Sequence, residues 1–245
     1  MEPEWWKHYF PIAESSQLEA ALTRENTVEA AWVADCLKLQ RGATVLDVPC
    51  GEGRLARELA ARGCNVVGVD LSPRLLKAAR ERAEKRQLKI AFEERDMRDL
   101  PWRGVFDAAF CYFGSFGYFD DAENARFVRA VAQTLKPGGR FLFESHSVET
   151  LMPVFTTRGW HQEGQTVILQ ERDFDFRTSR VNALWTFIDG SGVAKSQVSI
   201  RVYTFKELVA LFEAEGFTEC QGFDTATHAP LFPGAKRLTF VARKT

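Results

Sequence analysis

An apolar strand that leads into a glycine turn and then into a helix constrains the fold of this chain more than any other feature. Residues 45–48 are apolar except for the carboxylate of Asp47, and Gly51 and Gly53 follow with one residue between them. The next segment, 54–62, has apolar residues at helical spacing. A buried parallel strand delivers its last residues to such a turn, where glycines let the backbone approach a ligand closely. We therefore expect a ligand site at the end of this strand.

The same order of strand, turn and helix repeats as far as residue 145. Ser72 and Pro73 are typical of the N-cap and first residue of a helix. Strands joined by short helical connections run parallel and are covered by helices on both faces, so we predict a doubly wound α/β sheet. The predicted strands are 44–48, 65–69, 89–93, 105–111 and 140–145, and the predicted helices are 54–62, 74–86 and 122–135.

The pattern changes after residue 145. Three predicted strands follow with no helix between them, near 166–175, 180–188 and 195–203, and residues 189–192 are typical of a hairpin turn. They predict an antiparallel β-ribbon inserted after strand five. Both of its faces are partly apolar, so it packs on another surface, and a ligand pocket is one candidate for that surface.

A capping box formed by Thr204 and Glu207 begins the last predicted helix, 205–215, and strands near 217–224 and 237–243 follow it. The chain is thus expected to have three parts. These are an aromatic arm with a helix over 1–42, a ligand-binding domain formed by 43–145 with 204–245, and the ribbon insertion 146–203 that acts as a substrate lid.

Composition narrows the class of partner. The net charge is −1 with both signs interspersed, which argues against a nucleic-acid partner. The five cysteines are scattered and show no metal-binding spacing, so we expect no metal site and a reducing, cytoplasmic compartment. There is no export-signal pattern and no apolar run of membrane-spanning length, so no membrane partner is expected. Oligomeric state is left open between monomer and homodimer.

Three acids follow three successive predicted strands, and they favour one kind of ligand. Asp47 would repel a pyrophosphate but could receive an ammonium group, and Asp70 lies where a carboxylate accepts hydrogen bonds from ribose hydroxyls. Asp96 and Met97 place an acceptor for an exocyclic amine beside an apolar contact for a base. Together they describe S-adenosylmethionine better than NAD. The structural alternatives are a turn cap for Asp47 and a helix cap for Asp70.

The chain resembles the class I S-adenosylmethionine-dependent methyltransferases. The resemblance covers roughly residues 40–145 and implies a Rossmann-like, seven-stranded, mostly parallel sheet whose last strand is antiparallel. It also implies that the cofactor lies across the carboxyl ends of the first strands and leaves as S-adenosylhomocysteine. The matching segments, in the family's order, are 45–54, 68–72, 94–97, 106–111 and 135–139.

The resemblance assigns candidate roles to particular positions. Asp47 and the 51–53 turn would contact the methionine end, Asp70 the ribose, and Asp96 with Met97 the adenine. Backbone near Cys111 would lie beside the sulfonium. The candidate cofactor-binding residues are Tyr9, Asp47, Cys50, Gly51, Gly53, Asp70, Leu71, Asp96, Met97 and Cys111.

The resemblance does not extend to every subfamily. The fourth strand ends in Cys111, Tyr112, Phe113 and Gly114, where enzymes that methylate nucleobase or glutamine amino groups carry Asp/Asn-Pro-Pro-Tyr. We therefore expect methyl transfer to an oxygen, nitrogen or carbon atom of a small molecule. The alternatives are an RNA or protein methyltransferase, an NAD-binding enzyme, and a non-catalytic module that binds an adenosyl group.

Acceptor and catalytic residues are less constrained by the sequence. Phe116 and Tyr118 either wall a small acceptor or pack against the following helix, and Trp185 on the ribbon is a further acceptor contact. His146, just beyond strand five, is the first candidate base, and Tyr203 is the second. Each could equally be a structural hydrogen-bonding residue.

Two further features have open alternatives. The arm with Trp5, Trp6 and Tyr9 either closes over the cofactor or covers the core. Arg172 and Arg201 on the ribbon either bind an acidic acceptor or form exposed salt bridges.

Overall fold

The computed structural model describes residues 4–6, 18–190 and 192–245, and for residues 18–26 it describes the backbone alone. Two separate sheets account for its strands. The strands are β1 (Thr44–Asp47), β2 (Asn65–Asp70), β3 (Ala91–Glu94), β4 (Phe106–Cys111), β5 (Leu135–Ser145), β6 (Arg158–Glu163), β7 (Thr166–Asp175), β8 (Arg180–Asp189), β9 (Gly192–Arg201), β10 (Phe217–Asp224) and β11 (Leu238–Lys244). The helices are α1 (Leu18–Leu37), α2 (Arg54–Ala61), α3 (Pro73–Lys85), α4 (Asp121–Thr134), α5 (Val148–Leu151) and α6 (Phe205–Ala214), with a 3-10 turn at Met152–Val154.

The larger sheet has seven strands in the order β10-β11-β5-β4-β1-β2-β3. Its first five strands in the chain pair in parallel, and β11 pairs antiparallel with both β5 and β10. Helices α1, α2 and α3 cover one face of this sheet, while α4 and α6 cover the other. The prediction of a doubly wound, mostly parallel sheet with an antiparallel last strand is confirmed.

Local signals explain where the helices begin. The side chain of Ser72 accepts a hydrogen bond from the backbone N–H of Leu75, and Pro73 occupies the first helical position of α3. Thr204 and Glu207 form the predicted capping box of α6. Asp120 is the N-cap of α4, and its side chain accepts a hydrogen bond from the backbone N–H of Glu123. These caps fix where each helix leaves the edge of the sheet.

An aromatic core lies between the seven-stranded sheet and α6. Phe143 of β5 stacks on Phe116 with a ring-centroid distance of 4.5 Å, and Phe212 of α6 lies 4.7 Å from Phe240 of β11. Phe143, Phe212 and Phe240 are each at most 1% exposed. Truncating such a buried phenylalanine typically costs about 3–5 kcal/mol, so this cluster holds the second face of the sheet.

The smaller sheet corrects one prediction. It has four antiparallel strands in the order β6-β7-β8-β9, rather than three, and we call it the cap sheet. The unpredicted strand is β6, which has the polar sequence RGWHQE and an exposed outer face on which Trp160 is 71% exposed. The sequence did not indicate this strand, because an edge strand of this kind buries little apolar surface. The predicted hairpin turn is confirmed, since Asp189 pairs with Gly192.

The inner face of the cap sheet packs against the larger domain. Ala183 of β8 lies opposite Val198 of β9, and both are buried in the same core cluster as Tyr118 and Tyr203. In the described part of the chain, no helix is both long and apolar enough to cross a lipid bilayer.

Candidate functional site

The candidate residues meet at one edge of the seven-stranded sheet. Asp47 and Asp70 are the last residues of β1 and β2, and Asp96 follows β3 by two residues. Tyr112 comes directly after β4 and His146 directly after β5. Because these five strands are parallel, their carboxyl ends share an edge, which is where open α/β sheets bind ligands.

The glycine turn after β1 is tied to the end of β2 by Asp70. The backbone N–H of Gly51 donates to one carboxylate oxygen of Asp70 at 2.8 Å, and that of Ser72 donates to the other at 2.9 Å. Burial raises the pKa of Asp70, and these hydrogen bonds oppose that rise. The helix N-cap is Ser72 and not Asp70, so the carboxylate of Asp70 joins the turn to the strand.

The two glycines of the turn have different reasons to be glycine. Both have positive φ, +53° at Gly51 and +69° at Gly53. A Cβ on Gly53 would come within 2.8 Å of the Phe92 ring, so packing excludes a side chain there. Among the described residues, a Cβ on Gly51 would meet no atom within 4 Å. Open space therefore borders the turn at Gly51, where a ligand could approach the backbone.

Asp47 is a buried acid with a second acid near it. Asp47 is only 3% exposed, and its carboxylate accepts a hydrogen bond from the backbone N–H of Ala56. Burial, followed by the charge of Asp70, raises its pKa well above the ordinary value. The carboxylate thus bonds the first turn of α2, while burial destabilises its charged form. A cationic group placed beside it would lower its pKa again.

The third acid already has a cationic partner. Arg98 forms a two-pronged ion pair with Asp96, with nitrogen–oxygen distances of 2.6 and 2.9 Å, and these bonds lower the pKa of Asp96. Carboxylate oxygens have further lone pairs, so this pair can still accept a bond from a base. Met97 is buried, whereas Leu71 beside Asp70 is 37% exposed and offers an apolar surface at the sheet edge.

Two predicted contacts are thiols that carry no charge. Cys50 and Cys111 are buried, and burial together with the nearby acids raises the pKa of both thiols well above the ordinary value. They therefore act as small apolar groups, Cys50 in the turn and Cys111 at the end of β4. Tyr9 lies outside the described residues.

Of the aromatic arm, Trp5 and Trp6 are described. The Trp5 ring lies 4.8 Å from that of Tyr118, and the Trp6 ring lies 4.9 Å from that of Phe119. These contacts favour the alternative in which the arm covers the core.

Two acceptor-side candidates occupy structural positions. Phe116 is 2% exposed within the aromatic core, which agrees with the packing alternative. The hydroxyl of Tyr203 donates to Asp121 at 2.8 Å and accepts from the amide of Asn124 at 3.0 Å. Burial, followed by the bond to Asp121, raises the pKa of Tyr203. Its hydroxyl therefore links the end of the cap sheet to the start of α4.

His146 is placed differently from Tyr203. Its Nε2 lies 3.4 Å from a terminal nitrogen of Arg237, while its Nδ1 is buried and has no hydrogen-bond partner in the described part of the chain. Burial, Arg237 and Arg172 lower its pKa to about 4. The imidazole is therefore neutral at neutral pH and can accept a proton.

Sequence reasoning missed an ion pair beside His146. Glu144, 2% exposed, forms a two-pronged ion pair with Arg237, one arm of which measures 2.9 Å. The alternation of a β-strand places Glu144 and His146 on the same face, and this signal could have linked them. Tyr112 follows β4 in register with Glu144, and its buried hydroxyl has no partner among the described residues.

Comparison with known proteins shows what this part of the chain is similar to. Residues 45–139 match the family model described as a methyltransferase domain. The ubiquinone biosynthesis O-methyltransferase of Alkalilimnicola ehrlichii is 34% identical over 122 residues, which are 49% of this chain and 48% of that protein. The chain spans about half the length of the curated relatives it matches.

Solved structures resemble the chain over most of its length. The CcbJ methyltransferase from Streptomyces caelestis is 20% identical, with a TM-score of 0.78 and 90% coverage of both chains. The sugar N-methyltransferase KedS8 from a Streptoalloteichus species is 26% identical, with a TM-score of 0.69 and coverage of 94% and 93%. Residues 45–139 therefore match a methyltransferase domain, and the chain has the Rossmann-like fold of these solved methyltransferases.

Proposed function

We propose that this protein is an S-adenosylmethionine-dependent methyltransferase that methylates an oxygen or nitrogen atom of a small molecule. One observation carries the proposal. Asp47 and Asp70 lie at the tips of adjacent strands, and the glycine turn held by Asp70 borders open space at Gly51. This edge can accept a ligand with a cationic arm and a pair of hydroxyls.

The charges of the turn fit this cofactor better than a dinucleotide. The ammonium group of S-adenosylmethionine would offset the burial of Asp47, and its ribose would share the oxygens of Asp70. Leu71 and Met97 would border the adenine, with Asp96 beside it as an acceptor. A pyrophosphate at the same turn would face two carboxylates instead, which is electrostatically unfavourable.

The residues around the turn would then need to do little chemistry. When bound, the cofactor supplies a methyl group on a positively charged sulfur that is already activated for transfer. The chain's own task is to align the acceptor with that methyl group and to exclude water. Neutral His146 is the group we propose to take the proton of an acceptor hydroxyl or ammonium.

The acceptor side would be closed by the cap sheet, whose inner face packs toward the strand tips. Trp185 and Tyr118 are the contacts we assign to the acceptor, while Phe116 supports them from the core. Two of the similar proteins are named as small-molecule methyltransferases. One is a ubiquinone biosynthesis O-methyltransferase, and the other is a sugar N-methyltransferase. This supports a small-molecule acceptor here, without support for either of those two substrates.

We also propose a cellular compartment, a class of partners and an oligomeric state. All five cysteines are free thiols, which agrees with a reducing cytoplasm. We assign no nucleic-acid or membrane partner, and we expect a monomer or a homodimer.

A turnover screen tests the proposed function. The purified protein would be incubated with S-adenosylmethionine and a panel of hydroxyl- and amine-bearing metabolites, and release of S-adenosylhomocysteine would be measured by mass spectrometry. We expect product above the acceptor-free background for a chemically related subset of the panel. Tight cofactor binding with no turnover on any acceptor class would instead indicate a non-catalytic adenosyl-binding module.

A further inference from the structure

Two arginines of the cap sheet differ in how their charges are neutralised. Arg201 pairs with Asp121 at 3.0 Å and with Glu207 at 2.9 Å. Arg172 has no carboxylate oxygen within 4.0 Å in the part of the chain that the structure describes. One terminal nitrogen of Arg172 donates to the hydroxyl of Thr156 at 2.5 Å, while its Nε is buried and has no hydrogen-bond partner among the residues described. Of the two alternatives for these residues, Arg201 follows the salt-bridge one and Arg172 does not.

The register of the cap sheet shows which way Arg172 points. Arg172 lies opposite Ala183, and Ala183 lies opposite Val198, both of which are buried against the larger domain. Neighbouring positions alternate between faces, so Arg172 is on this inner face. Arg158, paired with Glu171, is on the outer face, and its side chain is 83% exposed.

Arg172 lies on the face of the cap sheet that packs against the larger domain. Its charge and that of Arg237 both act on His146. Arg237 is neutralised by Glu144, and Arg54 on the other side of Tyr112 is neutralised by Glu29 at 2.7 Å. The outward-facing Glu171 already pairs with Arg158. Among the residues described, no carboxylate thus pairs with the guanidinium of Arg172, whose charge acts on His146.

We propose that Arg172 binds an anionic group of the methyl acceptor, so that the acceptor carries a carboxylate or a phosphate. This rests on the proposed methyltransferase function and narrows its acceptor class. A partly buried cation without a counter-ion is costly, and an anionic ligand would remove that cost. The Nε–H and a terminal N–H of a guanidinium form a fork that matches two oxygens of such a group. Arg172 would hold the acid while the reacting atom lies toward His146.

The test uses the full-length protein saturated with S-adenosylhomocysteine. Inorganic phosphate and benzoate would be titrated separately at constant ionic strength, with binding followed by tryptophan fluorescence. We expect saturable binding of at least one anion and at least about tenfold weaker binding in Arg172→Gln. Arg177→Gln is the matched control, because it removes the same group from the exposed turn between β7 and β8, outside the cavity that Arg172 lines. Arg172→Lys should retain part of the affinity, and thermal unfolding would establish that each variant is folded.

The outcomes separate the ligand source and the two proposals. Tighter binding of benzoate assigns a carboxylate, and tighter binding of phosphate assigns a phosphate. No saturable binding of either anion, or equal affinity in Arg172→Gln and wild type, would overturn the role of Arg172. Failure of the wild-type protein to bind S-adenosylhomocysteine would contradict the proposed function itself. The anion titration of the nucleoside-free protein would still decide whether Arg172 binds an acid.

Discussion

The two halves of the functional edge are built in different ways. At the tips of β1 to β3, the cofactor half, the key contact joins Gly51 to Asp70, only 19 residues apart. At the tips of β4 and β5, the acceptor half, His146 contacts Arg237 from 91 residues away, and the charge of Arg172 on the cap sheet helps to lower its pKa. One half is a local turn with buried acids, and the other is an assembly of distant charges. A mutation in one half should therefore impair the function of that half and leave the function of the other intact.

The largest expected effect separates catalysis from cofactor binding. His146→Gln removes the proposed proton acceptor, so kcat/KM should fall by about 100-fold or more, the usual contribution of a general base. The affinity for S-adenosylmethionine should stay within twofold of wild type, since His146 belongs to the acceptor half. Steady-state kinetics and calorimetry would measure the two quantities. A weaker affinity for the cofactor with an unchanged kcat would contradict the assignment of His146 to the acceptor half.

Asp70→Ala should show the reverse. Loss of the carboxylate removes the acceptor for Gly51 and the proposed ribose partner, so cofactor affinity should fall by about 30-fold, equivalent to about 2 kcal/mol. Asp107→Ala is a control, because Asp107 accepts a 2.8 Å bond from the backbone of Thr44 at the opposite edge of the sheet. Calorimetric titration of both variants tests this. Similar losses in the two would point to a general effect on folding.

Asp47→Asn should weaken the cofactor half and at the same time stabilise the empty protein. The folded-state pKa of Asp47 lies above the unfolded value, so its ionisation at neutral pH opposes folding. Asparagine keeps an oxygen for the N–H of Ala56 and removes the charge. We expect a Tm about 2–4 °C higher and roughly tenfold weaker binding of S-adenosylmethionine. A lower Tm with unchanged affinity would show that Asp47 has a purely structural role.

The smallest expected effect concerns acid sensitivity of the acceptor half. The pKa of His146 is about 4 in the folded protein and 6.5 as the reference value, so the unfolded chain binds the extra proton between these limits. Stability should therefore decrease as pH falls from 6.5 toward 4. Urea unfolding at several pH values should show a flatter dependence in His146→Gln than in wild type. An identical pH dependence in both proteins would mean that His146 is not protonated on unfolding in this range.

The same contrast explains how much could be predicted from the sequence. The cofactor half was predictable because a strand, its turn and the next strand are neighbours both in the chain and in the sheet. The partner of His146 was not, since it depends on the antiparallel course of β11. That course sets Leu238 opposite Ser145 and so carries Arg237 to the end of β5. No periodicity within one segment contains that information.

The cap sheet was predicted in part for a similar reason. Strands β7 to β9 have runs that bury one face, whereas β6 gains its place mainly from backbone pairing with β7. The ion pair of Asp96 with Arg98 was also unforeseen, although the two residues are close in sequence. Whether Arg172 is paired could be read only from the structure, because it depends on which carboxylates the fold brings near.

The central claim is that the acids at the β1 and β2 tips select a nucleoside with a cationic arm. Parallel calorimetric titrations of the wild-type protein with S-adenosylmethionine and with NAD test it most directly. We predict saturable, stoichiometric binding of S-adenosylmethionine, lost progressively as pH falls and Asp47 becomes protonated, and no binding of NAD. Saturable binding of NAD, or cofactor affinity that does not depend on Asp47 and Asp70, would contradict it.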